Sequence, residues 1–268
     1  MKERIAILGC GRMGRALIGG WIHQGVQPAH ILALDPDPAA AQLQASFPGL
    51  RVEHPDRVAR LDELPTILVV AVKPQAAEAA LHALPPLAAG STALSVVAGK
   101  SISSLERLLG PEVGVVRAMP NLPSAIGRGI SALVAGATVT PEQRDASAQL
   151  LDAVGETVWL ASEELLDAAT AISGSGPAYV FLMVEALATA GEHLGLDHAV
   201  SLRLARATVA GAGAMAVSEN PAELRRQVAS PGGTTQAALE VLLEQPGFVD
   251  MIGRAARAAR DRARELGG

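Results

Sequence analysis

The chain has 268 residues, a formal net charge of −5 and 49% hydrophobic residues, of which aromatics supply only 2% of the whole. That length suits one large or two modest domains with a core of Ala, Leu and Val, and the charge and scarcity of aromatics argue against a nucleic-acid or anionic-membrane surface. A single cysteine excludes an intramolecular disulfide and a Cys-rich metal site, and the His residues show no metal-ligand spacing, so no metal is expected. The first residues carry no cationic, apolar, cleavable pattern, and the longest apolar tracts are interrupted by Gly, Arg or Glu. The expectation is a cytoplasmic protein without a membrane-spanning helix.

Residues 4–8 form a short apolar run suited to a parallel strand buried on both faces. The run ends at Leu8 and meets Gly9-Cys10-Gly11-Arg12-Met13-Gly14, after which Leu17, Ile18 and Trp21 keep helical spacing to about Gly25. A second apolar run, 31–34, closes in Asp35-Pro36. This is strand, G-x-G-x-x-G, helix, strand and acid, with the acid at about the 20-residue spacing of a dinucleotide-binding unit. Gly9 permits a tight turn, Gly11 lets backbone approach a pyrophosphate, and Gly14 lets the helix pack on the strand. Cys10 reads as a small filler at a variable position of the loop.

The alternation continues. Residues 66–72 read as a strand running into Lys73-Pro74, and residues 92–97 as a strand ending at Ala98-Gly99. Residues 113–116 lead into Arg117-Ala118-Met119-Pro120-Asn121. Ligands of open α/β sheets gather at the carboxyl ends of strands, so Lys73, Gly99 and Asn121 outline one cleft with the glycine fingerprint. Runs at 130–135 and 157–160 complete the sheet around a helix over 141–154.

Beyond residue 161 the strand pattern stops. Helices are expected over 163–171, 177–194 and 198–217, with a break at Ser173-Gly174-Ser175-Gly176-Pro177. Gly191, Gly211 and Gly213 lie inside these helices, where glycine is costly unless another helix comes close. The helices are apolar around much of their circumference, which points to packing against a second copy. The division expected is a dinucleotide-binding Rossmann domain over 1–160 and an all-α dimerisation and substrate domain over 161–268.

A second glycine-opened stretch follows, Ser230-Pro231-Gly232-Gly233-Thr234-Thr235. Ser230 suits an N-cap and Pro231 a first helical residue. Hydroxyls beside free backbone N–H groups at such an end attract a small anion. An ordinary capped turn would read the same way locally.

Together these motifs resemble the pyrroline-5-carboxylate reductase family. The matching stretches are residues 7–14, 71–74, 117–121, 172–179 and 230–235, in the family's order. The resemblance implies an N-terminal Rossmann-like α/β domain and an all-α domain interleaved with its twin in a homodimer, with dimers associating further. It implies reduction of 1-pyrroline-5-carboxylate to L-proline by hydride from NADH or NADPH. It places Leu8, Gly9, Cys10, Gly11, Arg12, Met13, Gly14 and Ala71, Val72, Lys73, Pro74 at the cofactor. Val97, Ala98 and Gly99 would line its nicotinamide side, near Met119, Pro120 and Asn121. Ser230, Gly232, Gly233 and Thr234 would hold the substrate carboxylate, and Thr235 would hydrogen-bond the ring nitrogen as the catalytic residue. Glu219 and Tyr179 are the other candidates for a proton donor. Family members favouring NADPH commonly carry Ser, Thr or Arg after the second strand. Asp35-Pro36-Asp37 stands there in this chain, and a carboxylate repels a 2′-phosphate, which favours NADH. Two rivals remain: a related dehydrogenase using Asp167 or Asp197, and a dinucleotide-binding protein without turnover.

Overall fold

The computed structural model describes residues 4–60 and 65–267. Among the described residues eight strands form one sheet: β1 (Ile5–Leu8), β2 (Ile31–Leu34), β3 (Arg51–Glu53), β4 (Ile67–Val70), β5 (Thr92–Ser95), β6 (Gly114–Met119), β7 (Gly129–Ala135) and β8 (Gly155–Trp159). Their spatial order is β3-β2-β1-β4-β5-β6-β7-β8. Every neighbouring pair is parallel except β6 and β7. The first six strands follow the doubly wound order, whose direction reverses between β1 and β4; ligands bind at such a switch point.

β1, β2, β4 and β5 are buried along their whole length, which is why they read as unbroken apolar runs rather than alternating ones. β3 escaped the sequence reading because only three residues form it, and Arg51 is exposed at the sheet edge. The helices are α1 (Arg12–His23), α2 (Gln42–Ser46), α3 (Ala77–His82), α4 (Ile102–Leu109) and α5 (Pro141–Asp152). Ile7, Leu17, Trp21 and Leu150 share the core on one face of the sheet, and Leu8, Leu68, Leu81 and Leu105 the core on the other. The indole N–H of Trp21 donates to the Leu150 carbonyl at 2.7 Å, so even this large ring is buried without a lost hydrogen bond. α5 starts with a capping box between Thr140 and Gln143.

The first compact unit comprises residues up to Gly174 together with the chain from Arg260 onward, and the second runs from Ser175 to Ala259. The first unit therefore extends beyond the expected boundary at residue 160. The reason is α6 (Leu165–Ala169), which buries Leu166 in the core layer that holds Leu8 and Leu105. A π-helical turn, Thr170–Gly174, follows it.

The second unit contains α7 (Gly176–His193), α8 (His198–Ala216), α9 (Pro221–Gln227), α10 (Thr234–Leu243) and the first part of α11 (Phe248–Gly267). α7 packs on α8, and Gly191 is the close-approach point: a Cβ there would lie 2.8 Å from Ser201 Oγ. Little of this unit is buried. Phe181, Leu182, Leu204, Met215 and Val241 all expose half or more of their surface. The helical run Leu165–His193 is, by length and composition, long and apolar enough to cross a membrane.

Candidate active site

In the first unit the glycine loop is held from three strands. Gly9 N–H donates to the Leu34 carbonyl at 2.8 Å, and Ala71 N–H donates to the Leu8 carbonyl at 2.8 Å. Gly9 has a φ of +102°, and a Cβ on it would lie 2.7 Å from the Ala71 carbonyl oxygen. A Cβ on Gly14 would run into the Gly9 carbonyl oxygen, whereas one on Gly11 would meet nothing within 4 Å. The three roles assigned from sequence are thus physically distinct: turn, open approach and helix–strand packing. Gly11 is the N-cap of α1 and supplies no side-chain cap, so the helix's first N–H groups face an open cradle. A dinucleotide pyrophosphate fits these donors.

Asp35 is tied to this loop directly. Its Oδ2 accepts from Cys10 N–H at 2.6 Å and its Oδ1 from Asp37 N–H at 2.8 Å. Each oxygen keeps acceptor capacity for a ribose hydroxyl. Cys10 is buried, and its thiol is pushed up to about 12 by that burial and then by the Asp35 carboxylate, against the opposing pull of Arg15. The thiol is therefore not a nucleophile. Arg15 also donates from Nε to the Cys10 carbonyl at 2.9 Å. Arg12 is exposed and Met13 is half-buried at the start of α1. Ala71 and Val72 are half-buried beyond β4, and exposed Lys73 caps the short 3-10 turn that opens with Pro74.

Val97, Ala98, Gly99 and Met119 line one cavity of about 80 Å³, together with Arg117, Asp167 and Thr170. Pro120 is buried. Asn121 is also buried, and its amide is committed: Nδ2 donates to the Ser173 carbonyl at 3.1 Å and Oδ1 accepts from Ile130 N–H at 3.0 Å. That side chain pins the π-helical turn to the end of the sheet. Sequence reasoning gave Asn121 a cofactor contact; its partner Ser173 is too distant in the chain for spacing to have shown the bond.

The second unit holds the other glycine stretch. Gly233, not Ser230, is the N-cap of α10, and Thr234 and Thr235 are its first two residues. The expected cap at Ser230 is displaced because Ser230 to Gly233 close a turn of their own, with Gly233 N–H donating to the Ser230 carbonyl at 3.0 Å. Gly232 has a φ of +69°, and its N–H donates to Gln236 Oε1 at 2.8 Å. A Cβ on Gly233 would lie 2.5 Å from Ser230 Oγ and 3.0 Å from the Ser230 carbonyl oxygen, so glycine keeps this turn tight. No side chain caps α10, so two hydroxyls stand beside the uncapped N–H groups of its first turn. Among the described residues no cluster of His, Cys, Asp or Glu could hold a metal.

The strand order and glycine cradle define a dinucleotide-binding Rossmann unit followed by a helical unit. Comparisons with known proteins narrow this class. Residues 4–99 match a family model described as NADP oxidoreductase coenzyme F420-dependent, and residues 163–266 match one described as pyrroline-5-carboxylate reductase dimerisation. A pyrroline-5-carboxylate reductase of Pseudomonas aeruginosa is 44% identical, with 98% of this chain and 96% of that protein covered. The solved pyrroline-5-carboxylate reductase of Coxiella burnetii has a TM-score of 0.93 at 33% identity, with both chains fully covered. That of Plasmodium falciparum, solved with NADP bound, has a TM-score of 0.83 at 28% identity, covering 100% of this chain and 99% of its own. The chain belongs to the pyrroline-5-carboxylate reductase family. It is an oxidoreductase that reduces 1-pyrroline-5-carboxylate to L-proline at the expense of a nicotinamide dinucleotide, the last step of proline biosynthesis. The dimerisation model accounts for the apolar surface of α7 and α8: the chain forms a homodimer.

Proposed function

We propose that the two glycine-opened helix starts divide the reaction between them. The loop from Leu8 to Gly14 with Asp35 and residues 71–74 holds the dinucleotide, and Val97 to Gly99 with Met119 take its nicotinamide side. Pro120 and Asn121 shape this wall from behind. Ser230, Gly232, Gly233 and Thr234 hold the substrate carboxylate, and Thr235 bonds the ring nitrogen. The uncapped start of α10 carries this reading, because it offers two hydroxyls and several N–H donors to one small anion.

The bound dinucleotide supplies the hydride, so the chain's own residues position and polarise. Thr235 Oγ1 orients the C=N nitrogen, and the anion-binding turn fixes the carboxylate that locates it. NADH is favoured over NADPH, since a 2′-phosphate would meet the Asp35 carboxylate. The same reading keeps the enzyme in the cytoplasm, with the apolar faces of the second unit turned to a partner copy rather than to lipid, and with dimers able to associate further.

Replacing Thr235 tests the assignment. A hydrogen bond to a charged group is worth roughly 1.5–3 kcal/mol, which is about tenfold or more in rate. Thr235→Val is expected to lower kcat with NADH affinity unchanged, whereas Thr234→Val is expected to raise KM for the imine more than it lowers kcat. Full kcat/KM in Thr235→Val would remove the polarising role.

A further inference from the structure

The reaction as described gives Arg117 no task, yet its placement is specific. It stands near the end of β6, only 15% exposed, and lines the same cavity as Val97, Ala98 and Gly99. Its Nη1 donates to Glu163 Oε1 in a short ion pair, and that same oxygen accepts from Ile102 N–H at 2.8 Å. Ile102 opens α4, so the carboxylate is gripped by a strand and by the start of a helix at once. The acid lining the cavity, Asp167, has its own counter-charge: Arg264 lies 3.7 Å away. Each charge on the wall is thus backed by an opposite one.

This pairing bears on the charge that the reaction moves. Hydride donation leaves a nicotinamide ring positively charged. An unmatched guanidinium on the cavity wall would repel that ring and favour the reduced dinucleotide over the oxidised one. We propose that Glu163 is a positioning residue for hydride transfer: by pairing with Arg117 it keeps the wall of the nicotinamide pocket electrically neutral where the cationic ring forms. The proposal rests on the placement of the ring against Val97 to Gly99.

Glu163→Gln isolates the charge, because the amide oxygen can still accept from Ile102 N–H and the shape is kept. Titration calorimetry with NAD+ and with NADH reads the result. The expected outcome is that NAD+ binding weakens relative to NADH by on the order of tenfold, the scale set by unit charges about ten ångströms apart at a protein surface. Arg117→Met alone leaves a bare carboxylate and is expected to shift the ratio the opposite way. The double variant is expected to restore it. A purely structural pair would weaken both redox forms equally, and an unchanged ratio in both single variants overturns the proposal. Ala98→Phe separates this from failure of the underlying placement. Ala98 is exposed on the cavity, so the ring should obstruct both dinucleotides. If Ala98→Phe binds both normally, the placement and the proposal fall together. If it weakens both while the charge variants leave the ratio unchanged, only the role of Glu163 falls.

Discussion

α1 and α10 each start from a glycine N-cap, and the two loops before them are built in opposite ways. The loop before α1 is over-determined. Leu34, Ala71 and Asp35 reach it from two other strands and their ends, and Gly9 and Gly14 have no room for a Cβ. Among the described residues, the loop before α10 takes its hydrogen bonds from neighbours in sequence: Ser230 with Gly233, and Gly232 with Gln236. A dinucleotide is large and needs a preformed cradle, so the sheet supplies one. In the proposed reading the small substrate carboxylate needs only a few donors, and a local turn supplies them. Rigidity is thus drawn from tertiary structure in one loop and from hydrogen bonds a few residues apart in the other.

The largest effect should come from putting one methyl group into each loop. Gly14→Ala drives a Cβ into the Gly9 carbonyl and must lift α1 from β1. Such overpacking costs about 1–3 kcal/mol, so Tm falls and NADH affinity drops by about tenfold or more. At Gly232 a Cβ meets nothing within 4 Å, and only the positive φ is penalised. Gly232→Ala is expected to cost about 1 kcal/mol and to act on KM for the imine, with NADH affinity unaffected. Equal effects on NADH binding would erase the distinction between the loops.

The same contrast extends to the two units. Within its own protomer Gly211 has nothing within 4 Å of an added Cβ, although it lies in α8 amid exposed apolar residues. Gly211→Leu is therefore expected to leave helicity by circular dichroism intact while light scattering shows dimer converting to monomer. A stable dimer would take Gly211 out of the interface.

Legibility in the sequence followed the range of the forces involved. The buried strands were readable because burial on both faces forces continuous apolar runs. Of the three glycine assignments, Gly14 answers a local steric demand, the carbonyl of Gly9; Gly9 combines a positive φ with the distant Ala71 carbonyl, and Gly11 has nothing within 4 Å of an added Cβ. The cap of α10 was misplaced because Ser230 resembles an N-cap, while the turn it forms with Gly233 shifts the helix start to Thr234. The first unit's extension past residue 160 depends on where Leu166 packs. Asn121 to Ser173 and Arg117 to Glu163 are bonds across about fifty residues, which no periodicity records.

A smaller effect is expected at Asp35, because one carboxylate serves two purposes there. Asp35→Ser removes the charge that opposes a 2′-phosphate, so kcat/KM with NADPH should rise relative to NADH. It also removes an acceptor from Cys10 N–H, so absolute affinity for both cofactors should fall by a few fold, a charged hydrogen bond being worth about 1.5–3 kcal/mol before replacement by the serine hydroxyl. The ratio separates specificity from loop support. An unchanged ratio with weakened binding would leave Asp35 as a strut alone.

The smallest effect concerns Cys10 and measures how closed the first loop is. Its thiol is pushed up from 9.0 to about 12, first by burial and then by Asp35, so at pH 8 it is held protonated. Iodoacetamide is expected to leave the native protein unmodified and to label it only after unfolding. The raised value also fixes a sign. A thiol that ionises less readily when folded stabilises the fold fully below pH 9, and that contribution is lost as the pH climbs from 9 toward 12. Cys10→Ala removes the thiol, so its stability should fall less steeply than the parent's over that interval, with NADH affinity and turnover at pH 7 close to the parent's. Labelling of the native protein at the rate of an exposed thiol would mean that the loop opens, and that the preformed cradle is formed only when the dinucleotide binds.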